Sequence, residues 1–189
     1  MSKATSYLAE MNRHAHATAL GVAGLMLEAL HPSCERAEIA GSIRRGAETV
    51  KDIEIVVVPT LVRDLFGEPT GEDLLRPAID AMIAKGSLAW RTNASDKPGR
   101  RFYPLVAVRS GIPIDLFAVL APAQFGVIMA IRTGPAEYAK HLVTICQRRG
   151  LRCTEGRLVR MDGSTVNTPE ERDFIRECGA EWAEPECRR

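Results

Sequence analysis

The sequence predicts a mixed α+β (α/β) fold of two units, an α/β layer over residues 1–120 and a small α+β unit over residues 121–189. Aliphatic runs too short for helices, at residues 53–58, 102–108 and 112–119, read as strands. Segments with apolar residues at helical spacing, at residues 5–30 and 74–83, read as helices packed on those strands. Ala121-Pro122 interrupts the pattern and is the clearest boundary between the units.

Each element has a local reason. The alanine-, leucine- and methionine-rich stretch over residues 5–30 is followed by Pro32, which cannot continue a helix. A strand over residues 36–40 runs into the turn at Gly41-Ser42, and the strand at 53–58 stops at Pro59. Thr70-Gly71-Glu72-Asp73 has the spacing of a capping box, opening a helix that buries Leu74, Leu75, Ala78, Ile79, Met82 and Ile83 and ends at Gly86. Ser110-Gly111 turns the hairpin between residues 102–108 and 112–119. In the second unit an apolar helix covers residues 125–131, and another starts at Pro135, suited to a first helical position, and stops at Gly150. Leu158-Val159 reads as a short strand. Thr168 is expected to cap the last helix, with Pro169 in its first turn and Glu171 completing a second capping box.

Composition excludes several classes. With 46% hydrophobic and 26% charged residues, the 189-residue chain is ordinary globular material able to bury a core. The net charge of +1 conceals a basic stretch from Arg132 to Arg160 and an acidic tail after Met161, and a localised basic face suits phosphate. Five cysteines without a C-x-x-C pair indicate neither a disulfide framework nor a zinc site, so reduced thiols and a cytoplasmic protein are expected. His14 and His16, two apart, would diverge on a helix. No apolar stretch is long enough to span a bilayer, and the N-terminus has no signal-peptide core.

The informative pattern is Gly41-Ser42-Ile43-Arg44-Arg45-Gly46, followed by Asp52-Ile53-Glu54 and the aliphatic run to Val58. Asp52 and Glu54, two apart at a strand, lie on one face. A glycine-serine turn rich in arginine suits a triphosphate, and paired carboxylates suit divalent cations for displacement at phosphorus. Either half alone is compatible with a solvated turn before a buried strand. Asp115, alone in the apolar run Ile112-Pro113-Ile114-Asp115-Leu116-Phe117, is costly to bury unless paired or bound to a cation, and is the candidate third ligand.

These residues resemble those of the X-family (beta-like) DNA polymerases: the Gly41-Ser42 turn, the Arg44-Arg45-Gly46 step, nine residues between Ser42 and Asp52, and the strand after the acid pair. Arg132-Thr133-Gly134-Pro135 with Tyr138 and Gly150 resembles the start of the polymerase thumb, and the C-terminal Thr168-Pro169-Glu170-Glu171 and Trp182 to Glu186 extend the likeness. The resemblance implies a nucleotidyltransferase palm with an N-terminal helix over residues 1–120 and a thumb-like domain over 121–189. It further implies a monomer that adds nucleotides to a DNA 3′ end, at short gaps, as in DNA repair. Asp52, Glu54 and Asp115 would be catalytic and would hold two Mg²⁺ ions, with Asp115 the base towards the attacking hydroxyl. Gly41, Ser42, Arg45, Lys51, Thr133 and Gly134 would bind the nucleoside triphosphate. Lys97, Arg100, Arg101, Lys140, Arg148 and Arg149 would contact DNA backbone, and Arg44 would pair with an acid. With one palm helix before the turn, no lyase domain is expected.

The departures are specific. Glu54 replaces the commoner aspartate, so its longer side chain must fold back, which favours Mn²⁺ as an alternative ion. Lys51 stands at a frequent glycine, Ile131-Arg132 at two aromatics against the sugar, Ala139 at a base-contacting polar residue, and Pro113 at an arginine. Two other readings therefore stand beside the polymerase: transfer to a small-molecule, RNA or protein hydroxyl, and a catalytically weak nucleotide- or DNA-binding relative.

Overall fold

A computed structural model describes residues 13–91 and 99–188. The first unit runs β1 (His14–Ala15), α1 (His16–Leu30), a 3₁₀ turn (His31–Ser33), β2 (Cys34–Ile39), α2 (Gly41–Arg44), β3 (Thr49–Val50) and β4 (Ile53–Pro59). It continues through β5 (Leu61–Arg63), β6 (Pro69–Asp73), α3 (Leu75–Ala84), β7 (Leu88–Trp90), β8 (Phe102–Ala107) and β9 (Pro113–Ala118). The second contains α4 (Phe125–Thr133), α5 (Ala136–Arg148), β10 (Leu151–Thr154), β11 (Arg157–Arg160), β12 (Thr165–Val166) and α6 (Glu171–Cys178). The fold is α+β.

A five-stranded sheet in the order β2-β4-β9-β8-β7 carries the first unit. The pair β4–β9 is parallel and its other pairs are antiparallel. Alternation sorts the central strands: Ile53, Ile55, Val57, Ile114 and Leu116 pack with Ala19, Ala23, Met26 and Leu30 of α1 and with Leu75 and Ile79 of α3. On the opposite face Val56 and Phe117 pack with Phe125 and Met129 of α4. The same helix gives Val127 and Ala130 to a second core with Leu142, Leu158, Val166, Phe174 and Ile175. One helix is thus shared by both units.

Several expectations are corrected. The first helix begins at His16; His14 and Ala15 instead pair with Val50 and Thr49, and residues 5–12 lie outside the described residues. Thr70 opens no helix. It belongs to the β5–β6 hairpin, and Asp73 caps α3 by accepting the Leu75 and Arg76 amides at 3.0 and 3.2 Å. The cap of α6 is Glu170 with Asp173, two residues beyond the expected Thr168. Thr168 is fully buried and its hydroxyl bonds to Gln124 Oε1 at 2.6 Å, so the 168–170 segment is tied down before the helix starts. Cys146 and Cys178 are joined sulfur to sulfur rather than being free thiols, while Cys34, Cys153 and Cys187 remain free. Among the described residues no helix is long and apolar enough to cross a membrane.

Backbone crosses α4 where Gly126 leaves room: a Cβ there would meet Thr168 O at 2.6 Å as well as the Glu170 carbonyl. Gly126→Ala is therefore expected to lower stability by about 1–3 kcal/mol in denaturant titrations, since neither partner is a flexible side-chain end.

Candidate active site

The sheet register assembles the site. In the parallel pair Glu54 lies opposite Asp115, so both side chains project to the face that α4 covers. Asp52 precedes β4 by one residue and, two before Glu54, shares its side. Glu54 responds to this crowding. Burial first, then the neighbouring Asp52, push its carboxyl up to about 7, with Asp115 adding to the rise while Arg132 and Arg45 oppose it.

The Glu54 side chain reaches the turn that precedes it. Its carboxyl lies against the Cα of Gly41, where a Cβ would meet Glu54 Cδ at 2.8 Å. Gly41 also has φ +62°, a conformation that side chains disfavour. Glycine is required twice over at the point where β2 turns into α2.

Of the expected triphosphate residues, Arg45 and Thr133 meet across the two units. Arg45 Nη1 donates to the Thr133 carbonyl at 2.6 Å, and Arg44 Nη1 donates to the Thr133 hydroxyl at 2.7 Å. Arg44 also pairs with the buried Glu171 at 2.7 Å, the acid partner anticipated for it. Glu171 in turn meets Arg188, a buried residue stacked near Tyr138 and Trp182. Ser42 is partly buried in α2, and its carbonyl accepts the Ala47 amide at 3.0 Å. Gly134 follows α4 and is packed against Tyr138, which an added Cβ would approach. Lys51 is exposed in the bend before β4.

The expected DNA-contacting residues fall into two separate sets. Arg100 donates to the Gly71 carbonyl and Arg101 to the Ala121 carbonyl at 3.1 Å, both beside β8. On α5, Lys140 pairs with Glu137 at 2.9 Å; at its end Arg148 is exposed and Arg149 lies against Gly179. Lys97 lies outside the described residues.

Two arginines at the carboxylates had no role assigned by sequence. Arg91, just past β7, pairs with Asp115 at 2.8 Å, each about one-fifth exposed. Arg132 stacks 3.8 Å over the Phe117 ring and lies in the field of Glu54 and Asp115. Arg132 was visible as a departure from aromatic residues. Arg91 had no signal, because its link to Asp115 depends on the order β9-β8-β7.

Oxygen donors from Asp52, Glu54 and Asp115 are of the hard type that Mg²⁺ selects, while the Glu54 carboxyl is raised first by burial and only then by Asp52. Among the described residues no three His, Cys, Asp or Glu side chains are gathered closely enough to hold an ion as they stand; Asp115 is turned to Arg91. No protein-family model and no curated protein matches the chain.

A carboxyl whose pKa is raised in the folded state burdens folding only once it ionises. The burden is absent below about 4.5 and grows as pH rises to about 7. Glu54→Gln is expected to match the wild-type protein at pH 4 and to exceed it by on the order of 2 kcal/mol at pH 8 in chemical denaturation. Gly41→Ala is expected to cost about 1–3 kcal/mol at any pH, since strained backbone and the Glu54 contact act together.

Proposed function

We propose that the chain transfers a nucleotidyl group from a nucleoside triphosphate to a hydroxyl acceptor, the 3′ end of DNA, in the manner of an X-family polymerase. The observation that carries this reading is the parallel register setting Glu54 beside Asp115, one turn away from the Gly41–Arg45 segment that reaches Thr133. Sequence resemblance supplies the polymerase comparison, and the register that sets Glu54 opposite Asp115 supports it.

In this reading the acceptor oxygen bonds to the α-phosphorus while the bond from that phosphorus to the bridging oxygen breaks. Pyrophosphate departs, and the hydroxyl proton passes to Asp115, which must first release Arg91. Asp52, Glu54 and Asp115 would hold two Mg²⁺ (or Mn²⁺) ions, whose chemistry is Lewis acidity at the hydroxyl and charge neutralisation at the triphosphate. Ser42 and Arg45 bind the outgoing phosphates; a guanidinium can engage two phosphate oxygens in its plane. Thr133 and Gly134 form the opposite wall, with the Thr133 carbonyl holding Arg45 in place. Arg100, Arg101, Lys140, Arg148 and Arg149 are then sequence-independent contacts to nucleic-acid backbone.

A second reading, a catalytically weak nucleotide- or DNA-binding relative, draws on the Arg91–Asp115 pair, which occupies the base. Primer extension on gapped DNA with Mg²⁺ or Mn²⁺ separates the two. Extension that falls about 10²–10⁴-fold in Asp115→Asn supports transfer. Nucleotide binding without extension under any metal supports the second reading and overturns the first.

A further inference from the structure

The β5–β6 hairpin ends in two bare apolar side chains. Leu65 is 100% exposed and Phe66 90%, although the turn that carries them is well braced. Asp64 Oδ1 accepts the Phe66 and Glu68 amides, both at 2.9 Å, and Arg63 Nη1 donates to the Gly67 carbonyl at 2.7 Å. At the base of the hairpin Arg100 donates to the Gly71 carbonyl. An ordered tip that holds leucine and phenylalanine side by side in water marks a contact surface, unlike single apolar residues scattered over a protein.

A matching recess lies elsewhere on the same chain. Leu25 and Met26 of α1, Met82 of α3, Leu88 of β7 and Val108 after β8 line a groove of about 710 Å³. Leu25 and Val108 are more than half exposed, so the groove opens to solvent. Among the described residues its lining includes Arg109 and no acid. Groove and hairpin sit at opposite ends of β8: Arg100, before its start, reaches Gly71, whereas Val108 follows its end. The six residues of that strand span about 20 Å. The tip is exposed, so the groove of its own chain does not hold it.

We propose that the Leu65–Phe66 tip of one copy seats in this groove of a second copy, with Asp64 and Glu68 beside Arg109. Charge selects this occupant. Residues 61–73 hold four acids, Asp64, Glu68, Glu72 and Asp73, against Arg63 alone. DNA phosphates and an anionic membrane surface both repel such a tip, whereas the arginine-bearing groove attracts it. Tip and groove are different surfaces, so the contact is head to tail. It builds open chains or a ring in place of the monomer that the resemblance implies. A tip of residues 64–67 buries less than the roughly 1,200 Å² of a stable interface, so association is weak and grows with concentration. The groove lies on the α1–α3 side of the sheet and the carboxylates on the α4 side, so assembly is separate from any reaction at Asp52, Glu54 and Asp115.

Sedimentation velocity of the full chain from micromolar to millimolar protein tests this, with Phe66→Ser for the tip and Val108→Asp for the groove. Average mass is expected to rise with concentration in the wild-type protein and to stay that of one chain in either variant. Mixed together, the two variants should form a one-to-one pair and grow no further, since one intact tip and one intact groove remain. Arg109→Glu should weaken association several-fold, and thermal unfolding checks that each variant folds. Phe66→Ser alters a side chain that is almost wholly in water, so it carries the test even where a groove variant unfolds. A wild-type mass of one chain throughout, assembly indifferent to Phe66→Ser, or no pair from the folded variants overturns the proposal. Binding to anionic vesicles or duplex DNA that Phe66→Ser abolishes, with mass unchanged by concentration, overturns it equally and assigns the tip to that partner.

Discussion

Parallel pairing of β4 with β9 is the constraint on which the site depends. Side chains alternate along a strand, so a slip of one residue would send Asp115 into the core beneath α1 and leave Glu54 without it. The slip is prevented by packing on both faces. Ile53, Ile55, Ile114 and Leu116 are fully buried on one side, and Val56 and Phe117 are buried on the other. Apolar burial worth about 1.5–3 kcal/mol per large side chain fixes the register far more firmly than the carboxylates oppose it.

The carboxylates stand in a field of arginines drawn from separate elements. Arg45 comes from the turn after α2, Arg91 from the sheet edge and Arg132 from the end of α4. A second, more buried set ties the units together: Arg44 to Glu171 and Glu171 to Arg188, with Thr133 sharing Arg44. Pairs of this kind add little net stability over an apolar replacement, yet removing one partner is costly. Their consequence here is positional. They hold the Gly41–Arg45 turn against the end of α4, and Arg36, bound to Glu170 and stacked on Phe125, does the same from β2.

Much of the frame was legible because its signals are local. β4, β8 and β9 are aliphatic runs closed by Pro59, Ser110-Gly111 and Ala121-Pro122, and α5 is bounded by Pro135 and Gly150. Misreadings arose where one local motif had two uses. Thr70 to Asp73 has capping-box spacing, but its first residues form a hairpin and only Asp73 caps. Thr168 looks like a cap and is instead buried on Gln124. The carboxylates could be nominated from spacing, whereas Arg91 against Asp115 and Arg132 over Phe117 could not, since both follow from strand order and helix placement. The Cys146–Cys178 link was likewise hidden, because it joins α5 to α6 across the second core.

Paramagnetic broadening by Mn²⁺ tests most directly whether the two strands present one cation site. Backbone NMR signals of residues 52–54 on one strand and 114–116 on the other should broaden together at substoichiometric ion, and Asp52→Asn should abolish both effects at once. Broadening limited to one strand, or centred on the acidic C-terminal tail, would contradict the account.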